Sequence, residues 1–148
     1  MTAAGIMDAI VEEITIKASA ERIFDVLIDP AQRVKWWGLK GRYEATHMES
    51  DPRPGGRWTM RGNGMGGRPF LITGVYRTIQ RPNVLAFTWL PDWDENATET
   101  LVRFDLTEHV RGVTTVRLTH SGFASEASRT RHQGWPQILS WLKGYAEA

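Results

Sequence analysis

Near the C-terminus the apolar positions recur with a helical period. Trp135, Ile138, Leu139 and Leu142 fall at i, i+3, i+4 and i+7 within Arg131–Ala148, and Trp141 and Tyr145 widen the stripe on one side. A stripe this broad on one long helix needs a large partner surface. Most of the preceding chain alternates instead, with the period-two pattern of half-buried strands, and strands are predicted at 8–17, 43–49, 57–61, 70–79, 84–90, 99–108 and 113–121. In 57–61, Trp58 and Met60 share one face while Arg57, Thr59 and Arg61 share the other. In the last hairpin, Val102, Phe104 and Leu106 face Val116, Leu118 and His120 as inner rows.

Two short helices follow the first strand directly. Ser19 reads as an N-cap with Glu21 in the first turn, and Ile23, Phe24 and Leu27 form the buried face. Asp29-Pro30 is a second start, a capping carboxylate before proline at the first helical position, in a helix that carries Val34, Trp36 and Trp37 and stops at Gly38. Turn chemistry is dense at Asp51–Gly56, and Gly62–Gly67 reads as a hairpin loop. The order predicts an α+β fold: a curved antiparallel sheet of six to seven strands, two short helices, and one long C-terminal helix lying across the sheet. Residues 8–148 are expected to form a single domain, with residues 1–7 as a frayed leader, since 148 residues divided further would leave cores too small.

Composition narrows the function. The net charge of +1 gives no bulk attraction to nucleic acid or to an anionic membrane. The absence of cysteine removes disulfides, thiolate metal sites and thiol nucleophiles together. The N-terminal stretch lacks the charged and apolar regions of a signal peptide, and no run reaches the ~18 apolar residues of a membrane span. A cytoplasmic protein is therefore expected. Of the seven tryptophans, several must line a core, a cavity or an interface.

Several short motifs resemble one family. These are Asp29-Pro30 with Trp36-Trp37, the turn Arg53-Pro54-Gly55-Gly56-Arg57-Trp58, and Gly74-Val75-Tyr76 leading to Arg81-Pro82-Asn83-Val84-Leu85-Ala86-Phe87-Thr88-Trp89. Thr119-His120-Ser121-Gly122-Phe123 and His132-Gln133-Gly134-Trp135 complete the set. In this order, over roughly residues 8 to 146, the chain resembles the START-like (SRPBCC, Bet v 1-like, helix-grip) superfamily, in the branch related to the activator of the heat-shock-protein-90 ATPase. The resemblance implies a deep cavity between sheet and C-terminal helix, usually without catalytic machinery. Its branch includes a co-chaperone domain and antibiotic self-resistance proteins, so it implies fold more firmly than function.

The candidate chemistry is sparse. The G-x-G-x-G-G string at Gly62–Gly67 is followed by a strand rather than a helix, which excludes a dinucleotide fingerprint. The acidic loop Asp92–Asn96 lacks the glycine of a calcium loop and reads as solvated. The four histidines are too dispersed for a metal site. His120 points inward, placed either to orient a ligand or move a proton, or to serve as a hydrogen-bonded core histidine. His132 reads as a capping or surface residue. Ser121 follows His120 in a strand and points to the opposite face, so no nucleophile–base pair forms there. Glu99, Arg103 and Asp105 read as a salt-bridged outer surface, and Arg53, Arg57, Arg61 and Arg68 as a solvated edge.

The reading is non-enzymatic binding of a small hydrophobic or aromatic ligand between sheet and helix, with no cofactor and no metal. The candidate ligand-binding residues are Trp58, Met60, Tyr76, Phe87, Trp89, Phe104, Leu118, His120, Trp135, Leu139 and Trp141. Ile138, Leu139 and Leu142 are expected to anchor the helix, with Gly134 permitting close approach near its start. Two alternatives stand beside this. One is a co-chaperone-like contact module; the other is a cyclase- or hydratase-type enzyme using His120. The expected partners are the small ligand and a chaperone or other protein, and the chain is a monomer or a homodimer.

Overall fold

The structure, a computed structural model, describes residues 8–39, 43–94 and 96–148. The expected leader at 1–7 lies outside them, as does Glu95 of the acidic loop. In chain order the elements are β1 (Ile10–Ile16), α1 (Ala20–Ile28), α2 (Pro30–Trp36), β2 (Gly38–Leu39), β3 (Tyr43–Ser50) and β4 (Arg57–Asn63). After them come β5 (Pro69–Gln80), β6 (Val84–Pro91), β7 (Thr100–Val110), β8 (Val113–Ser121), α3 (Glu126–Thr130) and α4 (Trp135–Glu147).

All strands join one sheet in the order β1-β8-β7-β6-β5-β4-β3-β2, every neighbouring pair antiparallel. The sheet has seven longer strands plus the two-residue β2, and it curls into a half-barrel. Register shifts between Ala45 and His47, Tyr76 and Thr78, and Glu108 and Val110 mark irregularities that increase local twist and support the curl. The last hairpin has the register expected from its pattern, Val102 opposite His120, Phe104 opposite Leu118 and Leu106 opposite Val116.

Local chemistry sets the helix ends. The Ser19 hydroxyl accepts from the Arg22 N–H at 3.1 Å, and an Asp29 carboxylate oxygen accepts from the Ala31 N–H at 3.0 Å. Gly38 has φ 116° and a β-carbon there would overlap the Tyr43 carbonyl, so α2 gives way at once to β2. Gly74 lies under the Trp58 indole on the neighbouring strand, where a β-carbon would overlap both the indole nitrogen and the Thr88 carbonyl.

The C-terminal helix covers the whole apolar stripe from Trp135 but not the full stretch Arg131–Ala148. Pro136 has no N–H to extend a helix backwards, and residues 131–134 form turns, so α4 begins at Trp135. Its far end is pinned to β1 and the residue just after it: Lys143 Nζ donates to the Thr15 carbonyl at 3.0 Å, and Glu147 accepts from the Lys17 N–H at 2.8 Å. Trp135, Leu139, Leu142 and Ala146 form the buried stripe. Ile138 is only half-buried, so Trp135 rather than Ile138 anchors the helix. Gly134 meets no atom within 4 Å of a β-carbon position, so the close approach expected there does not occur.

Candidate functional site

The concave face of the sheet is packed with aromatic rings. Trp37 lies 5.9 Å from Trp89 and 5.9 Å from Trp135, while Trp58 lies 6.0 Å from Trp89 and 5.3 Å from Phe87. Beneath Trp135 is His120, fully buried, with Thr100 and Trp89 beside it. Trp58, Met60, Tyr76, Phe87, Phe104, Leu118 and Leu139 are likewise closed into this core. The large side chains fill the concavity that the sequence pattern left open.

The remaining space lies to one side. A pocket of about 680 Å³ opens between the first turns of α4 and the β4–β5 hairpin. Trp135, Ile138 and Trp141 of α4 line it, with Gly64–Gly66 and Arg68–Phe70 of the hairpin, Trp89 and Trp93, Arg131 and His132, and Trp37 and Tyr43 at the back. One wall is a stack: Phe70 lies 4.9 Å from Tyr43 and nearly parallel to it, and Tyr43 lies 6.4 Å from Trp141. Of the candidate ligand-binding residues, Trp89, Trp135 and Trp141 line this pocket; Trp58, Met60, Tyr76, Phe87, Phe104, Leu118, His120 and Leu139 do not. Arg68, expected on a solvated edge, stands at the pocket mouth.

A chain of hydrogen bonds runs from the pocket wall into the core. An indole can only donate. Trp135 Nε1 donates to His120 Nδ1 at 3.0 Å, which leaves the His120 proton on Nε2, 2.7 Å from the Thr100 hydroxyl. That hydroxyl donates to the Trp89 carbonyl at 3.2 Å. Trp89 Nε1 donates to His132 Nε2 at 3.2 Å, and His132 Nδ1 donates to the Ser128 carbonyl at 2.8 Å. Both imidazoles are thus neutral, with tautomers set by their neighbours. Burial pushes His120 down to about 3, with nearby His132 as a second cause. Burial also lowers His132, against the opposing pull of the Ser128 carbonyl and Asp94.

His120 therefore takes the core-histidine alternative, and neither of its ring nitrogens is free. His132 is not a surface residue, and the capping part of its expected role appears at the end of α3, where Nδ1 donates to the Ser128 carbonyl. Only 6% exposed, it lines the pocket and ties α3 to β6. Asp94, placed in a solvated loop by its acidic neighbours, is also buried and pairs with Arg131. Among the described residues no three metal-ligating side chains come together, and no helix is long and apolar enough to cross a membrane.

Sequence reasoning missed Arg33. A single arginine on a short helix reads as solvent-exposed, yet Arg33 is 2% exposed. Its guanidinium carbon sits 4.5 Å from the Trp37 ring, within 6 Å of the Trp36, Trp58 and Phe87 rings, and behind the pocket wall. Nη1 donates to the Leu27 carbonyl at 3.1 Å, while Nε and Nη2 have no partner. Burial lowers its pKa to about 10, opposed by the Tyr76 and Tyr43 phenols, so the group stays charged at neutral pH.

The family model described as Activator of Hsp90 ATPase homolog 1-like protein matches residues 17–147. No curated protein matches the chain. Among solved structures, protein CV1439 from Chromobacterium violaceum is 21% identical with a TM-score of 0.82, over 95% of this chain and 97% of that one. Protein Ms6760 from Mycobacterium smegmatis is 21% identical with a TM-score of 0.79, over 94% and 88%. Protein NE0264 from Nitrosomonas europaea is 16% identical with a TM-score of 0.78, over 97% and 95%. At such identities the likeness is one of fold.

Proposed function

The chain belongs to the Activator of Hsp90 ATPase homolog 1-like family, whose helix-grip fold is compatible with ligand binding and with co-chaperone-type contacts, and on that footing we propose that it binds a small, flat, apolar ligand in the α4–hairpin pocket. The observation that supports this reading is the pocket itself. Its volume of about 680 Å³ falls in the range of small-molecule sites, and its walls are largely aromatic. Tyr43, Phe70 and Trp141 offer a preformed stacking surface, and Ile138 an apolar floor. Binding rather than proton transfer is favoured because the buried histidines already use both ring nitrogens.

Native mass spectrometry of the protein purified from its own cells tests the proposal. The expected result is a bound molecule of a few hundred daltons, which disappears in an Ile138→Trp variant whose added ring occupies the pocket. Failure of the native protein to retain or titrate any flat apolar compound at millimolar concentration overturns it.

A further inference from the structure

Arg33 presents an unsolved electrostatic problem. A charged guanidinium carries five N–H donors, and here one backbone carbonyl is its only hydrogen-bond acceptor among the described residues. The face of Trp37 offsets part of the lost hydration but accepts no conventional hydrogen bond. Buried cations are ordinarily paired with an anion, yet no salt bridge involves Arg33 among the described residues.

The arrangement of the empty donors is specific. Nε and Nη2 lie on the same edge of the guanidinium, the edge that a carboxylate meets with two parallel hydrogen bonds. Leu27 occupies the other nitrogen and leaves this fork free. The ring closest to the guanidinium, that of Trp37, also forms the back of the pocket. Trp37 covers Arg33, and Tyr43 lines the pocket beside it. They are joined by one long hydrogen bond, 3.4 Å from Trp37 Nε1 to the Tyr43 hydroxyl. Trp37 is at the C-cap of α2, next to Gly38 with its φ of 116°.

Resting on the ligand-binding reading above, we propose that the pocket and Arg33 are two parts of one site, and that the ligand is an apolar molecule carrying a carboxylate. Its body lies against Tyr43, Ile138 and Trp141. Its acid group turns the Trp37 indole aside and pairs with the Nε–Nη2 fork of Arg33. The buried charge is then neutralised, and the ligand's own anion is desolvated only where a cation meets it.

The test compares 2-naphthaleneacetate with the isosteric, uncharged 2-naphthaleneacetamide by isothermal titration calorimetry at neutral pH. The native protein is expected to bind the acid at least about tenfold more tightly, the scale of one charge-assisted hydrogen bond. Arg33→Met is expected to lose that preference while still binding the amide. In the native protein, the Arg33 Nε–H resonance, identified by its absence in Arg33→Lys, is expected to shift with the acid and not with the amide. This readout holds even if Arg33→Met does not fold. Equal affinity for acid and amide overturns the inference and leaves the pocket standing; binding of neither overturns the pocket reading and the inference with it. Loss of the acid preference in Arg68→Gln but not in Arg33→Met places the acid at the mouth and also overturns the inference.

Discussion

Acidification from pH 8 to pH 5 should weaken the fold through His120. In the folded chain its pKa is pushed to about 3 by burial and by His132, against an ordinary value of 6.5. Between those values the unfolded chain holds a proton that the folded chain does not. Stability is therefore full above pH 6.5 and declines as the pH falls from 6.5 toward 3. At pH 5 the loss from this one residue is about 2 kcal/mol, and by pH 3 it is on the order of 4 kcal/mol. His132, also lowered by burial, adds to the loss in the same direction. The groups facing His120 are Trp89, Phe123, His132, Trp135 and the Thr100 hydroxyl, none of them a carboxylate that could receive the new charge. The nearest ion pair, Asp94 with Arg131, lies beyond His132. Hydrogen bonds hold the Glu108 and Glu147 carboxyls below their ordinary value of 4.5, so they add to the loss only as the pH falls toward and below 4.5.

Urea unfolding at each pH unit from 8 to 5, followed by far-ultraviolet circular dichroism, measures the effect. The native protein should lose at least about 2 kcal/mol over that range, or about 4–8 °C in Tm for a chain of this size. His120→Gln should be less stable at pH 8, because the Trp135 and Thr100 partners are disturbed, but its pH dependence should be smaller by about 2 kcal/mol. A variant that keeps the full native slope refutes the assignment of the proton to His120.

Other substitutions probe separate parts of the argument. Gly74→Ala forces the Trp58 indole off its neighbour strand and should cost about 1–3 kcal/mol in urea unfolding; no loss means the indole has room the packing denies it. Arg33→Met should leave thermal stability unchanged or raise it by up to about 4 kcal/mol, since an unpaired buried charge is replaced by an apolar chain. A large loss of Tm would show that the guanidinium is a stabilising element. Asp29→Ala removes the cap of α2 and should cost about 1 kcal/mol by the same measurement.

Some of this was legible in the chain before folding. The β7–β8 register followed from alternation alone, because slipping by one residue would turn Val102, Phe104 and Leu106 outward. The caps at Ser19 and Asp29 were legible because their hydrogen bonds span only two or three residues. Arg33 was not legible. Its burial depends on Trp58 and Phe87, which arrive from distant strands, and nothing in α2 itself distinguishes it from a surface arginine. His132 was misplaced for a related reason: the helical stripe overshadowed Pro136, which sets the start of α4. The pocket was displaced from its expected position beneath the helix because four indoles fill that space, leaving room only beside the hairpin.

The tryptophan cluster has a spectroscopic consequence. Trp37, Trp58, Trp89 and Trp135 form a connected set with centroid spacings between 5.5 and 6.0 Å, close enough for their excited states to couple. An absorbed photon can migrate among them, and the near-ultraviolet circular dichroism of such a set carries exciton character that four isolated indoles would lack. Trp93, at 39% exposure, and half-buried Trp141 stand at the pocket instead. Their emission should respond to solvent and quenchers while the inner set records whether the rings remain in register. Trp37, like Trp89 and Trp135, belongs to both regions. Its movement would detach one member of the coupled array and alter the dichroic bands without any loss of secondary structure.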